Sequence, residues 1–301
     1  MKQKGIYALF ILSVISLFSY GCNKNDQVSG TVEPPKRSFV IYSQIHYNHT
    51  PSDLSGYGIS ASVIHYPGNF LDTIAGDPSR KGNSNLDCKV INSSKLATLA
   101  QADANRDPKV PIILDIEAWS FAAQDLPATI DSFKKVINLY RSYNPNSPLG
   151  FYGNFPQTRW TWNNISTPDK YQNWQKTNDR MAEIVPMVQF FAPDNYVYGS
   201  TIDKATWGQY VQANLSEIKR YKSSNPAYAF ICPQAIGGNF LSYDDWKFVL
   251  STLYNLGYDG VFIWTSNRDS AGNGMEFTIA SQLDWWKATL DFIKEKNITA
   301  R

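Results

Sequence analysis

The chain has 301 residues, 43% hydrophobic and 18% charged, with 28 Lys and Arg against 26 Asp and Glu. That balance fits a globular body and excludes a disordered chain. A formal net charge of only +2 argues against nucleic acid as a partner, and three cysteines are too few for a disulfide framework or a Cys-rich zinc site.

In chain order, Lys2 and Lys4 come first, followed by an apolar run over residues 6–18. The run is short for a bilayer span and has the form of a signal-peptide core, so residues 1–21 are expected to direct export. Ser19 and Gly21 stand before Cys22 as in a bacterial lipoprotein signal, in which that cysteine is lipidated and anchors the protein to the membrane of the cell envelope; ordinary secretion is the alternative. Residues 22–36 are polar, with Gly30 and the pair Pro34-Pro35, and read as a flexible tether for a body spanning 37–301. Losing 1–21 removes Lys2 and Lys4 and takes the net charge from +2 to zero. Cys88 and Cys232 remain in the body, as one bridge or as two free thiols.

Strands are expected at 39–42 and 61–66, the latter with His65 near its end. Leu96, Leu99, Ala100 and Ala104 recur at helical spacing before a strand in 111–119. Residues 125–143 place Ile130, Phe133, Val136, Ile137 and Tyr140 on one helical stripe, and 150–152 forms the next strand. A helix over 168–181 leads to a strand somewhere in 185–198, whose limits Pro186 and Pro193 obscure. Trp207, Tyr210, Val211, Leu215 and Ile218 mark a helix before strand 228–232. Trp246, Val249, Leu250 and Leu253 mark another before strand 260–264, and Leu283, Trp286 and Leu290 the last. Seven strands alternating with helices predict an α/β fold, a TIM-like (β/α) barrel of about seven strands. The rival, an open doubly wound sheet, lacks a G-x-G-x-x-G or a G-x-x-x-x-G-K phosphate loop.

The stretch 111–119, PIILDIEAW, is an apolar strand that delivers two acids. Alternation puts Asp115 and Glu117 on one face, and two close carboxylates raise each other's proton affinity, so one can serve as a general acid. The structural alternative is a strand-end pair that binds Arg or Lys. In a parallel barrel the strand ends form the functional face. There the second strand brings His65 and Tyr66, and the third Asp115, Glu117 and Trp119. Later ends bring Tyr152, then Tyr196 and Tyr198, then Gln234, then Trp264 and Asn267. Aromatic faces, hydroxyls and amides around two acids suit a carbohydrate, with Tyr152, Tyr196, Trp264, Trp119, Tyr198, Gln234 and Asn267 as its contacts. The three histidines, His46, His49 and His65, lack a metal-ligand spacing, so neither metal nor cofactor is expected.

Four stretches resemble the hyaluronidase family of glycoside hydrolases, family 56. Asp115-x-Glu117-x-Trp119 is similar to its D-x-E-x-W, and Phe151-Tyr152-Gly153 with Phe155-Pro156 to its F-Y-G-F-P, with Asn154 inserted. Pro193-Asp194-Asn195-Tyr196 is similar to its P-x-x-Y, and Ile263-Trp264 with Ser266 to its I-W-G-S. The resemblance implies a distorted barrel of about seven β/α units and a cofactor-free reaction in which the substrate's 2-acetamido group attacks the anomeric carbon. It implies Glu117 as acid and then base, Asp115 as the acetamide orienter, Tyr152 and Tyr196 as donors to the acetamide oxygen, and Trp264 as the wall behind it. Ser120-Phe121 stand where the family has Arg-Pro, Thr265 where it has Gly, and its disulfide cysteines are missing, which leaves the glycan itself open. Two other readings stay open: a chitinase-like or other endo-N-acetylglucosaminidase on a related barrel, and a tethered glycan-binding protein without catalysis.

Overall fold

Short runs of β-branched and aromatic residues supply the strands: Val40–Gln44 (β1), Ser60–Ala61 (β2), Val63–His65 (β3), Leu71–Thr73 (β4), Cys88–Ile91 (β5), Ile112–Leu114 (β6), Leu149–Phe151 (β7), Tyr228–Ile231 (β8) and Gly260–Trp264 (β9). The computed structural model describes residues 38–73, 88–159, 161–269 and 271–301, without the side chains of Cys88 and Trp162. The expected export segment 1–21, Cys22 and the tether to residue 36 lie outside the described residues. The α-helices are Ser93–Ala104 (α1), Leu126–Tyr143 (α2), Thr161–Asn164 (α3), Pro168–Met181 (α4), Lys204–Arg220 (α5), Tyr243–Leu256 (α6), Phe277–Ala280 (α7) and Asp284–Lys296 (α8).

All the barrel pairings are parallel. One sheet has the order β2-β1-β9-β8 and another β3-β6-β7. Two joints connect them. Only Ser62 separates β2 from β3, so the continuous segment 60–65 passes from the first sheet to the second. On the opposite side residues 189–195 lie between β7 and β8: the Gln189 amide donates to the Leu149 carbonyl at 2.9 Å, and the Tyr228 and Phe230 amides donate to the Phe191 and Pro193 carbonyls, each at 2.9 Å. Pairing therefore runs through seven strand positions of a TIM-like barrel. The fifth position is a row of single bridges rather than a strand, because Pro193 has no N–H to give a ladder. The antiparallel β4–β5 pair lies outside the barrel and was not expected from the sequence.

Alternation sorts the strand residues. Val40, Tyr42, Ile113, Phe190, Phe230 and Phe262 fill the barrel interior, while Ile41, Ile112, Leu114, Phe151, Ile231 and Ile263 face the helices. Gly150 is required by this packing, since a Cβ there would lie 2.3 Å from the Phe190 ring. The stripe of α2, Ile130, Phe133, Val136, Ile137 and Tyr140, is buried as expected. At about 1.5–3 kcal/mol for each fully buried large apolar side chain, that stripe alone holds α2 firmly to the sheet.

The same alternation corrects the placement of His65. With Ile64 packed against the interior cluster, His65 turns outward, and its Nε2 lies 2.7 Å from Asp103 Oδ2 on α1. It does not stand at the barrel mouth. Cys232 is a buried free thiol, so the expected alternative of a Cys88–Cys232 bridge is absent.

Candidate active site

Strand register brings the acids together. The Asp115 amide donates to the His65 carbonyl, and the Tyr152 amide to the Leu114 carbonyl. Tyr66, Asp115 and Tyr152 thus form one inward layer on adjacent strands, above Ile64, Ile113 and Gly150, and Glu117 follows one step nearer the mouth. They line a cavity of ≈ 250 Å³ with Tyr196, Tyr198 and Trp264. Ile64, Arg159, Phe230 and Ile236 complete its wall. Three other hollows are larger, ≈ 360 Å³ beside Trp207, ≈ 390 Å³ beside Trp174 and ≈ 420 Å³ beside Tyr171. None gathers acids: the first contains only Asp203, which caps α5 by accepting from the Ala205 and Thr206 amides, and the other two contain none.

Asp115 is 6% exposed and its Oδ1 is buried without a hydrogen-bond partner. Burial, and next the charge of Glu117, push its carboxyl well above the usual range, against the opposing pull of Arg159. Glu117 is more open, with its side chain 29% exposed. Its Oε2 lies 2.9 Å from Arg159 Nη2, and Arg159 Nη1 donates to its backbone carbonyl at 3.0 Å. Asp194 lies just behind the wall, where burial pushes its carboxyl up to about 6. Among the described residues no group of three or more His, Cys, Asp or Glu side chains is placed to hold a metal ion.

The aromatic wall is fixed by its own contacts. The Tyr152 and Tyr196 rings lie 5.8 Å apart, and Tyr196 and Trp264 are again 5.8 Å apart. Trp264 Nε1 donates to the Tyr66 hydroxyl at 2.8 Å, and that hydroxyl lies 3.2 Å from His46 Nε2. Burial lowers the proton affinity of His46, which suits a neutral imidazole accepting the Tyr66 proton.

Of the residues expected at the site, Asp115, Glu117, Tyr152, Tyr196, Tyr198 and Trp264 meet in this cavity, and Trp119, Gln234 and Asn267 do not. The chain bends at residues 118–119, so Trp119 leaves the alternation, donates from Nε1 to the Lys89 carbonyl and packs 4.8 Å from Phe133 on α2. Gln234 turns to its own loop, with Nε2 3.2 Å from the Gly238 carbonyl. Asn267 is exposed in the loop after β9, where its carbonyl accepts from Met275. Sequence reasoning missed Arg159 and Asp194. Period-2 spacing of Phe190, Ala192, Asp194 and Tyr196 could have revealed the second; no periodic signal marks Arg159.

No family model matches the sequence, and no curated protein does. Solved structures do resemble it. Bee venom hyaluronidase in complex with a hyaluronic acid tetramer aligns with a TM-score of 0.54 at 15% identity, over 87% of this chain and 97% of that one. A monoclinic form of bee venom hyaluronidase gives 0.53 at 14%, over 86% and 97%. An endo-1,4-β-D-mannanase from Thermotoga petrophila RKU-1 gives 0.50 at 12%, over 85% and 99%. At such identities the likeness shows a shared barrel fold.

Proposed function

We propose that this protein is a glycosidase acting on glycans that contain N-acetylhexosamine, with the sugar's own 2-acetamido group as nucleophile. One observation carries the reading: a buried carboxyl oxygen of Asp115, without a partner, stands in the cavity that Glu117 also lines. Such an oxygen awaits a donor, and an acetamide N–H is one. Its raised proton affinity suits Asp115 to hold that proton while the acetamide oxygen attacks the anomeric carbon. The glycosidic C–O bond breaks as Glu117, nearer the mouth, protonates the leaving oxygen. Water then attacks the same carbon from the vacated side, Glu117 takes its proton, the bond from carbon to acetamide oxygen breaks, and the anomeric configuration is retained. Trp264, flanked by Tyr196, offers an aromatic face for the sugar ring. A glycan ligand is further supported by the fold neighbour that holds a hyaluronic acid tetramer.

Reducing-end release from hyaluronan, chondroitin, chitin oligosaccharides and N-glycans tests the activity. Cleavage with the retained anomer appearing first is the expected result. An inverted first product overturns the mechanism, and binding without cleavage of any of them makes the protein a glycan-binding one. Tethering in the cell envelope through Cys22 belongs to the same proposal; Cys22→Ala should move the protein from the membrane to the soluble fraction, and unchanged retention would remove it.

A further inference from the structure

Behind the tyrosine wall lies an acid that the proposed reaction does not use. Asp194 is 1% exposed and is not among the residues lining the cavity. Its Oδ2 accepts the Tyr198 hydroxyl at 2.5 Å and its Oδ1 accepts the Tyr196 amide at 3.0 Å. The Tyr152 ring lies near enough for its hydroxyl to feel the charge of this carboxyl. The backbone is pinned on both sides: the Asp194 amide donates to Thr158 Oγ1 at 2.8 Å, and its carbonyl accepts Asn214 Nδ2 at 3.1 Å. With main chain and side chain both held, Asp194 has no other place for its carboxyl group.

An ionised carboxylate only accepts hydrogen bonds, so each tyrosine hydroxyl bonded to it must point its proton there. What such a hydroxyl can then present to a ligand is its lone pairs. A protonated carboxyl has one O–H to give, and giving it reverses one of those bonds. The tyrosine that accepts it can turn its own O–H toward the cavity. We propose that Asp194 is a positioning residue whose proton sets whether Tyr198 offers a donor, or only acceptors, to a ligand in the cavity. The nature of that ligand, an acetamido sugar whose carbonyl oxygen needs a donor, rests on the glycosidase reading. The coupling of carboxyl and hydroxyl stands without it.

The surroundings place the switch in an accessible range. Burial pushes Asp194 up to about 6, against the bonds from Tyr198 and the Tyr196 amide and the charge of Arg159. The titratable and charged groups that face it are Arg159 and Tyr152 from the β7 side, Asp115 from the end of β6, Tyr196 and Tyr198 from its own segment, and Tyr210 from α5. Below about 6 Asp194 holds its proton and the Tyr198 donor is released; above it that hydroxyl points its proton at the carboxylate and offers the cavity only lone pairs.

The test has two arms. In full-length protein labelled with carboxyl-13C aspartate, the Asp194 resonance is assigned by its loss in Asp194→Asn. It should titrate near 6, and its midpoint should rise in Tyr198→Phe, which loses a hydrogen bond to the charged form. Titration in the ordinary carboxylate range, or a midpoint indifferent to Tyr198→Phe, overturns the coupling. In the second arm, chitin-oligosaccharide turnover by the parent should fall on the alkaline side of about 6. Asp194→Asn, whose amide keeps a donor at every pH, should displace that limb, and a limb left unmoved in this variant overturns the functional role. If the parent cuts nothing, the glycosidase reading fails while the titration arm still decides the coupling.

Discussion

Asp103 at the end of α1 and Asp115 past the end of β6 are buried alike, 0% and 6% exposed, in opposite surroundings. Asp103 Oδ2 meets His65 Nε2 at 2.7 Å and the Tyr140 hydroxyl at 3.0 Å, and its Oδ1 meets Arg106 Nε at 3.0 Å. Burial pushes its carboxyl up, but the bond and charge of His65, with Arg106 and Tyr140, more than offset this and hold it below the usual range. Asp115 has an oxygen with no partner, and Arg159, the nearby cation, is ion-paired to Glu117 instead. Glu217 repeats the first pattern, buried among Gln175, Asn178 and Arg220. A buried acid that the fold satisfies is part of the architecture. One that the fold leaves short is built for a partner from outside.

The contrast can be broken at several points. The largest effect is expected at the mouth: Glu117→Gln keeps shape but cannot donate a proton, so turnover of a cleaved glycan should fall by about 10²–10⁴-fold with affinity little changed. Steady-state rates equal to the parent's would remove Glu117 from the reaction. On the outer side, Asp103→Ala strips His65, Arg106 and Tyr140 of their common acceptor and should cost about 3 kcal/mol in urea unfolding, with the cavity's ligand binding unaltered. A loss under about 1 kcal/mol would mean that the cluster is not structural. Trp264→Ala should weaken oligosaccharide binding by roughly 1–3 kcal/mol, measured by calorimetry.

The smallest effect is the most diagnostic of the comparison. Asp115→Asn removes a buried carboxyl whose ionisation folding disfavours, so Tm at neutral pH should rise by about 2 °C or more while activity falls. The sign follows from linkage. A carboxyl whose folded pKa is raised binds more protons folded than unfolded, so Asp115 and Asp194 make stability fall as pH rises from the usual carboxylate range through their folded values, about 6 for Asp194. The stabilisation by Asp115→Asn should therefore vanish in acid. Asp103 acts oppositely: its lowered carboxyl contributes stability that is lost as pH falls through its folded value. A Tm for Asp115→Asn below the parent's at neutral pH would contradict the contrast.

Six of the seven strand positions were legible because β-branched and aromatic runs bounded by helical stripes leave little choice of element. The fifth was blurred by Pro193, which the barrel accommodates with single bridges. The short β4–β5 pair carries no periodic signal. At the site, the D-x-E spacing located both acids, since alternation persists through residues 115–117 although the regular strand ends at Leu114. It fails two residues later, where the chain bends and Trp119 turns to Phe133. His65 was misplaced because a strand end alone does not fix parity, which here follows from Ile64. Arg159 reaches the cavity from a loop, where only tertiary structure decides what a side chain meets.

The most direct test compares matched oligosaccharides that differ only at carbon 2. If Asp115 holds an acetamide and the substrate supplies the nucleophile, chitin oligosaccharides should be cleaved and cello-oligosaccharides of the same length left intact, because a 2-hydroxyl gives Asp115 no amide and the anomeric carbon no internal attacker. Cleavage of both at similar rates would contradict the account and assign Asp115 and Glu117 to chemistry that does not involve the acetamide.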